Sequence, residues 1–239
     1  MGIFDGPLAG VRAFLERQLS GGQAAVLAPR APPAPAADGP QVVLRQQAAL
    51  ELGSPDQPSL SLLLWGDPGQ LSDGRMTLAG PDLDALPSGG SPFGRVLLVG
   101  CEVPATVALE RHARLRDALY GARLQGVMTR VLPSRHRVWV RVSRTALERG
   151  LRARDLGSAA LSAVRSLPFV EAAEVLLVTA GQPLRALQSA AGQALLVLEA
   201  LRQMERRPQM TCEDCPSSQI CALLDELRAV HETREAATP

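Results

Sequence analysis

The sequence predicts a mixed α/β (α+β) fold: one compact domain on a mixed sheet, an N-terminal helix and linker before it, and a helical tail after it. Three observations carry this. Apolar runs of strand type, such as Arg95-Val96-Leu97-Leu98-Val99-Gly100, interleave with helical periodicity in no strict βαβ order. Hydrophobic residues make up 46% of the 239-residue chain, enough to bury a core. Aromatics are only 3%, so that core must be Leu, Val and Ala, and each of Trp65, Trp139 and Tyr120 draws attention.

The elements follow in order. Phe4 to Leu19 has the spacing of an amphipathic helix, with Leu8, Val11, Phe14, Leu15 and Leu19 on one side, and it can dock on the main body or on a partner. Ser20-Gly21-Gly22 stops it, setting a helical segment of 1–20. Residues 21–40 are rich in Pro, Ala and Gly and predict a linker. The domain is expected over 41–181. Val42–Leu52, Leu60–Trp65, Arg75–Leu78, Arg95–Gly100, Arg137–Val142 and Glu174–Thr179 read as strands. Ala105–Arg123 reads as a helix. Ser143 caps a helix that ends at Gly150, and Asp155 opens another near Leu156–Val164. Gly150 and Gly157 read as helix stops, and Asp82 and Asp84 as turn residues of the Gly-Pro-Asp loop. The tail, 182–239, predicts one long helix over Pro183–Arg207 and a last one over Ile220–Arg234.

No run approaches the 18 apolar residues of a membrane span, and the first residues lack the basic and apolar regions of a secretory signal. A cytoplasmic protein with no membrane association is therefore expected. Overall formal charge is only +1, but its distribution is uneven. Every basic residue is arginine, as a high-GC genome alone can produce. Twelve arginines lie between Arg111 and Arg154 against two acids, Asp117 and Glu148, a local net charge of about +10. Such a region attracts anions, and arginine forks suit phosphate oxygens. Trp139 stands among them on a strand where alternation puts Arg137 and Arg141 on its own side, with Arg135 too unless that residue lies in the preceding turn. An indole beside arginines can stack on an adenine while guanidinium groups hold phosphates. Arg144 and Arg152 add charge from the following helices. The alternative is a solvated basic face with Trp139 in the core.

Near the C-terminus, Cys212-Glu213-Asp214-Cys215 is a C-x2-C turn and Cys221 follows after five residues. In a reducing compartment this spacing points to a metal ion or an iron–sulfur cluster more than to a disulfide. A closed site needs a fourth ligand. His231 is one candidate and Cys101 another. A redox dithiol and a set of unliganded thiols are the alternatives.

Several segments together carry a family resemblance. They are Glu51-Leu52-Gly53, Asp73-Gly74-Arg75 through Pro87-Ser88-Gly89, Leu109-Glu110-Arg111, Arg137-Val138-Trp139-Val140-Arg141-Val142-Ser143-Arg144, Gly150 to Gly157, and Val175 to Thr179. In this order the chain from Leu50 to Thr179 resembles the middle region of the acetyl-CoA synthase subunit of carbon monoxide dehydrogenase/acetyl-CoA synthase complexes. The resemblance implies coenzyme A binding near Trp139 and Arg141. It also implies that Cys212, Cys215 and Cys221 match the first three cysteines that hold a 4Fe–4S cluster, with a shorter spacer and with His231 at the fourth position. That family's Cys-Gly-Cys nickel site has no counterpart, because no two cysteines here flank one glycine. Counterparts of its large N-terminal domain and its C-terminal domain are likewise not expected in these residues. Nickel chemistry would then need ligands from another polypeptide.

The leading expectation is an acetyl-CoA-synthase-like accessory protein that binds coenzyme A, an acyl-CoA or a protein partner in a one-carbon or CoA-linked complex. An iron–sulfur or zinc centre would sit in the tail. An interaction module that kept only the fold is the alternative. Nucleic-acid binding through the arginines ranks last, since aromatics are few and no nucleic-acid motif is present.

Overall fold

Nine strands form two sheets among the residues that the computed structural model describes, 2–28, 42–206, 227–230 and 232–233. Strands β1 (Ala24–Leu27), β4 (Met76–Ala79), β9 (Ala172–Val178), β6 (Phe93–Gly100) and β3 (Ser59–Gly66) lie in that order in a five-stranded sheet. Its β3/β6 and β4/β9 pairs are parallel, and its β6/β9 and β1/β4 pairs antiparallel. Every residue of β6 and β9 is buried, as expected of strands covered on both faces. Helix α4 (Ala153–Arg165) covers one face, where a Cβ on Gly157 would come within 3.0 Å of Met76 Sδ and 3.1 Å of Val175. Helix α5 (Gly181–Ala190) covers the other, with Leu184 against Gly94. Gly157 is thus a close-packing residue in the second turn of α4, not the helix stop expected of it.

The second sheet has the order β5 (Gly89–Ser91), β2 (Ala48–Leu52), β8 (Arg137–Ser143), β7 (Val127–Leu132). It turns Val138, Val140 and Val142 to the core. Ser59 of β3 joins the two sheets: its hydroxyl donates to Val138 O at 2.5 Å and accepts from Val138 N at 3.0 Å. The mixed sheet expected from sequence is therefore two mixed sheets sharing one core.

Helix α1 (Asp5–Ser20) buries Leu8, Val11, Phe14 and Leu15 and docks on β3, α5 and α6 (Gly192–Arg206). Phe4 packs edge-on against Trp65, with ring centroids 4.5 Å apart. Residues 24–27, read as linker, form β1 instead, because pairing with β4 satisfies their backbone. Residues 29–40 of the expected linker lie outside the described residues, as does Gln41. The strand expected over Val42–Leu52 is confined to β2, since a 3-10 turn at Arg45–Gln47 precedes it. The single long helix expected from Pro183 is two, separated at Ala191.

Helix α2 (Ala108–Gly121) precedes β7. Ser143 caps α3 (Arg144–Glu148) by accepting from Ala146 N at 3.2 Å, and Gly150 follows at φ +87°, as its sequence position predicts. Asp155 caps α4 from its third position, accepting from Arg152 N at 2.8 Å, so the helix begins two residues before Asp155. Asp82 ties the Gly-Pro-Asp turn to that helix, accepting from Ala153 N at 2.7 Å. Of the last expected helix, only 227–230 and 232–233 are described, with Leu227 and Val230 buried.

Candidate functional site

Strand β8 alternates as its sequence does. Val138, Val140 and Val142 face inward, and Arg137, Trp139 and Arg141 line the opposite, partly open face. Cross-strand pairing completes that face. Antiparallel partners share a side, so Arg130 and Met128 of β7 stand beside Trp139 and Arg141, and Glu51 of β2 stands on the other flank of Arg141.

Trp139 is the centre of this arrangement. The Arg141 guanidinium lies over its ring at 4.5 Å, and that of Arg130 at 5.8 Å. Both distances fall in the cation–π range. Trp139 Nε1 is buried and has no acceptor among the described residues. Arg141 is also an ion pair, its Nε donating to Glu51 Oε1 at 2.8 Å. Arg130 is exposed.

The other arginines expected at the site are arranged differently. Arg137 gives Nη2 to the carbonyls of Gln57 and Ser54, at 2.6 and 2.8 Å, and so holds the loop between β2 and β3. Arg152 pairs with Asp84 at 2.9 Å. Arg144 is exposed at the start of α3, with no hydrogen bond or ion pair among the described residues. No hydrogen bond or cation–π contact joins Arg144 or Arg152 to Trp139 among the described residues. Arg135 falls in the turn Pro133–Arg135, where His136 at φ 47° reverses the chain, and so is off the strand. The twelve arginines do not form one face: Arg111 and Arg114 flank the Phe169 ring at 5.0 and 5.1 Å, and Arg116 pairs with Glu205 at 2.6 Å.

Sequence reasoning missed Arg130 and Glu51 as members of the site. Arg130 was hidden because β7 was not recognised, although Val127-Met128-Thr129-Arg130-Val131-Leu132 carries strand-type residues. Glu51 carried no local signal, because its partner is ninety positions away.

Cys212, Cys215, Cys221 and His231 lie outside the described residues. Among the described residues no group of three His, Cys, Asp or Glu side chains gathers as for a metal. Cys101 is buried at the end of β6, where desolvation pushes its thiol up to about 11. No helix among the described residues is long and apolar enough to cross a membrane.

Residues 33–184, more than half of the chain, match the model of the CO dehydrogenase/acetyl-CoA synthase complex beta subunit family. This chain belongs to that family. The match spans the second sheet, α4 and most of the five-stranded sheet, and the resemblance carried by the sequence motifs is borne out. Within the CO dehydrogenase/acetyl-CoA synthase complex beta subunit family, the chain is 29% identical over 133 residues to the acetyl-CoA decarbonylase/synthase complex subunit beta of Archaeoglobus fulgidus. That alignment covers 54% of this chain and 25% of the relative, so the chain spans about a quarter of the relative's length.

Proposed function

We propose that this chain binds coenzyme A or an acyl-CoA on the outer face of the four-stranded sheet, as an accessory protein of a CoA-linked or one-carbon complex. The observation that carries this is the indole of Trp139 on a partly open face, with the guanidinium groups of Arg141 and Arg130 at 4.5 and 5.8 Å from its ring. An adenine would stack against that layer while Arg130 and Arg141 meet phosphate oxygens. Arg144 would add charge from α3, whereas Arg137 and Arg152 would shape the surrounding loops through the partners they hold. Membership of a complex-subunit family supports a protein partner for this chain.

The tail is proposed to carry an iron–sulfur cluster or zinc on Cys212, Cys215 and Cys221, with His231 completing the set. The cysteine spacing supports it, and His231 stands at the fourth position of the family motif that the tail resembles. Metal and acid-labile sulfide content of anaerobically purified protein tests this, with His231→Ala and Cys101→Ala compared.

One observation favours the interaction-module alternative: Arg141 and Arg152 are already neutralised within the chain. Coenzyme A titration at low ionic strength, followed by tryptophan fluorescence, separates the two. Trp65 is buried against Phe4 and His112 and supplies a constant background. Binding should quench the Trp139 emission and weaken by about tenfold or more in Arg141→Ala, and calorimetric titration should show it lost in Trp139→Phe, which no longer carries the reporter. No binding in the millimolar range leaves the interaction module as the better reading, and binding unchanged in both variants places the site elsewhere.

A further inference from the structure

Arg95 lies on β6 in the interior of the five-stranded sheet and is only 8% exposed. Its Nε and Nη2 are buried with no hydrogen-bond partner among the described residues. Those two nitrogens form one edge of the guanidinium. That edge offers two parallel N–H bonds, the geometry that a carboxylate accepts with both oxygens.

Arg95 lines a cavity of about 30 Å³ between β6, the four-stranded sheet and α4. Phe93, Leu177, Val127, Val140 and Ala160 form apolar walls, and the Thr129 hydroxyl belongs to an exposed residue at the rim. By the size that a water needs, roughly 10–15 Å³, the space holds a body of a few heavy atoms. Among the described residues, the titratable neighbour acting on Arg95 is the Tyr120 phenol, which is uncharged at neutral pH. Burial lowers the guanidinium pKa to about 10, so Arg95 remains a cation there. A buried cation without a counter-charge is an expensive arrangement unless something anionic completes it.

We propose that Arg95 anchors a small aliphatic monocarboxylate in this cavity. Waters can take the two N–H groups but leave the charge uncompensated. A halide supplies the charge at one point, whereas the unpartnered edge presents two parallel donors. The apolar walls suit a short aliphatic tail behind the carboxylate. The cavity is separate from the Trp139 face, because Val140 lines it while Trp139 and Arg141 project to the other side of the same strand. The inference therefore stands without the coenzyme A reading.

The test is thermal unfolding of the full chain, in low-chloride buffer, against formate, acetate, propionate and hexanoate. The two- and three-carbon acids should raise the midpoint saturably at concentrations up to about 50 mM, as binding to the folded state alone requires. Hexanoate should do less, because its tail exceeds the cavity. Arg95→Met should loosen the apparent Kd by about tenfold or more, and Arg95→Lys should fall between, keeping the charge without the fork. Should Arg95→Met not fold, Ala160→Leu, which fills the cavity and spares the charge, should abolish the response. An equal rise with sodium chloride at matched ionic strength overturns the proposal. So does a flat response in the parent protein, or an unchanged response in the substituted ones.

Discussion

The guanidinium of Arg141 lies over the Trp139 ring at 4.5 Å while its Nε donates to Glu51 at 2.8 Å. One side chain is therefore shared between an aromatic plane and a carboxylate. A phosphate arriving at this face competes with Glu51 for Arg141. Glu51→Gln should tighten coenzyme A binding by about two- to fivefold, the worth of a partly exposed ion pair. Arg141→Ala should weaken binding by about tenfold or more, the worth of a charge-assisted hydrogen bond. Both effects should shrink as salt rises. Fluorescence titrations across a salt series measure them, and a Glu51→Gln protein that binds more weakly than the parent contradicts the competition.

Gly53 ends β2 at φ +62°, and an added Cβ would sit 2.4 Å from Val138 O and 2.7 Å from Ser59 Oγ. Neither neighbour can retreat, because Ser59 and Val138 are bonded to each other across the two sheets. Gly53→Ala should cost about 2–4 kcal/mol, combining backbone strain with loss of that bridge. Ser59→Ala removes the bridge alone and should cost about 1–3 kcal/mol. Denaturant midpoints at unchanged slope decide it: a Gly53→Ala protein within a few tenths of the parent shows that the turn can relax.

Much of this architecture was legible. The alternation of Arg137 to Val142 gave both faces of β8, and Ser143 and Gly150 bracketed α3, because each signal is local. The failures are long-range or at edges. Ala24–Leu27 has mostly exposed or half-buried small residues, so only its pairing with β4 makes it a strand. Arg137 looked free, since its acceptors are backbone carbonyls some eighty positions earlier and carbonyls leave no mark in a sequence. Gly157 looked like a stop because the demand for a missing Cβ comes from Met76 and Val175 on another layer.

Acidification should destabilise the protein through His112. This imidazole packs against Trp65 at 5.2 Å, and burial first, then the charges of Arg116 and His136, pushes its pKa down to about 3. In the unfolded chain it titrates near 6.5. Between those values the unfolded state binds the extra proton, so stability falls as pH drops from about 6.5 toward 3, by at most about 1.4 kcal/mol per pH unit. Above pH 6.5 both states are neutral here and the contribution is flat. His112→Leu should lessen the slope between about pH 6.5 and 5.5, above the range in which carboxylates titrate. Parallel stability–pH curves for parent and variant rule this origin out.

Glu174, 2% exposed on β9, accepts from Arg75 Nε at 2.9 Å and Nη2 at 2.6 Å, and also from the Ser72 N–H. Burial is unequal: the Arg75 side chain is 26% exposed and that of Glu174 3%. The cost of breaking the pair should be unequal too. Arg75→Met leaves a carboxylate buried without its counter-charge, at about 3–5 kcal/mol. Glu174→Gln keeps an acceptor oxygen for one donor and leaves a guanidinium that can still reach water, at about 1–2 kcal/mol. Replacing both, Arg75→Met with Glu174→Leu, removes the stranded charge and should cost less than Arg75→Met alone. The Ser72 N–H, left without its acceptor, sets the floor. A double-substitution cycle from denaturant unfolding should give a coupling of about 1–3 kcal/mol. Additive costs would mean that the carboxylate finds solvent once Arg75 is gone, and that the ion pair does not fasten the chain before β4 to β9.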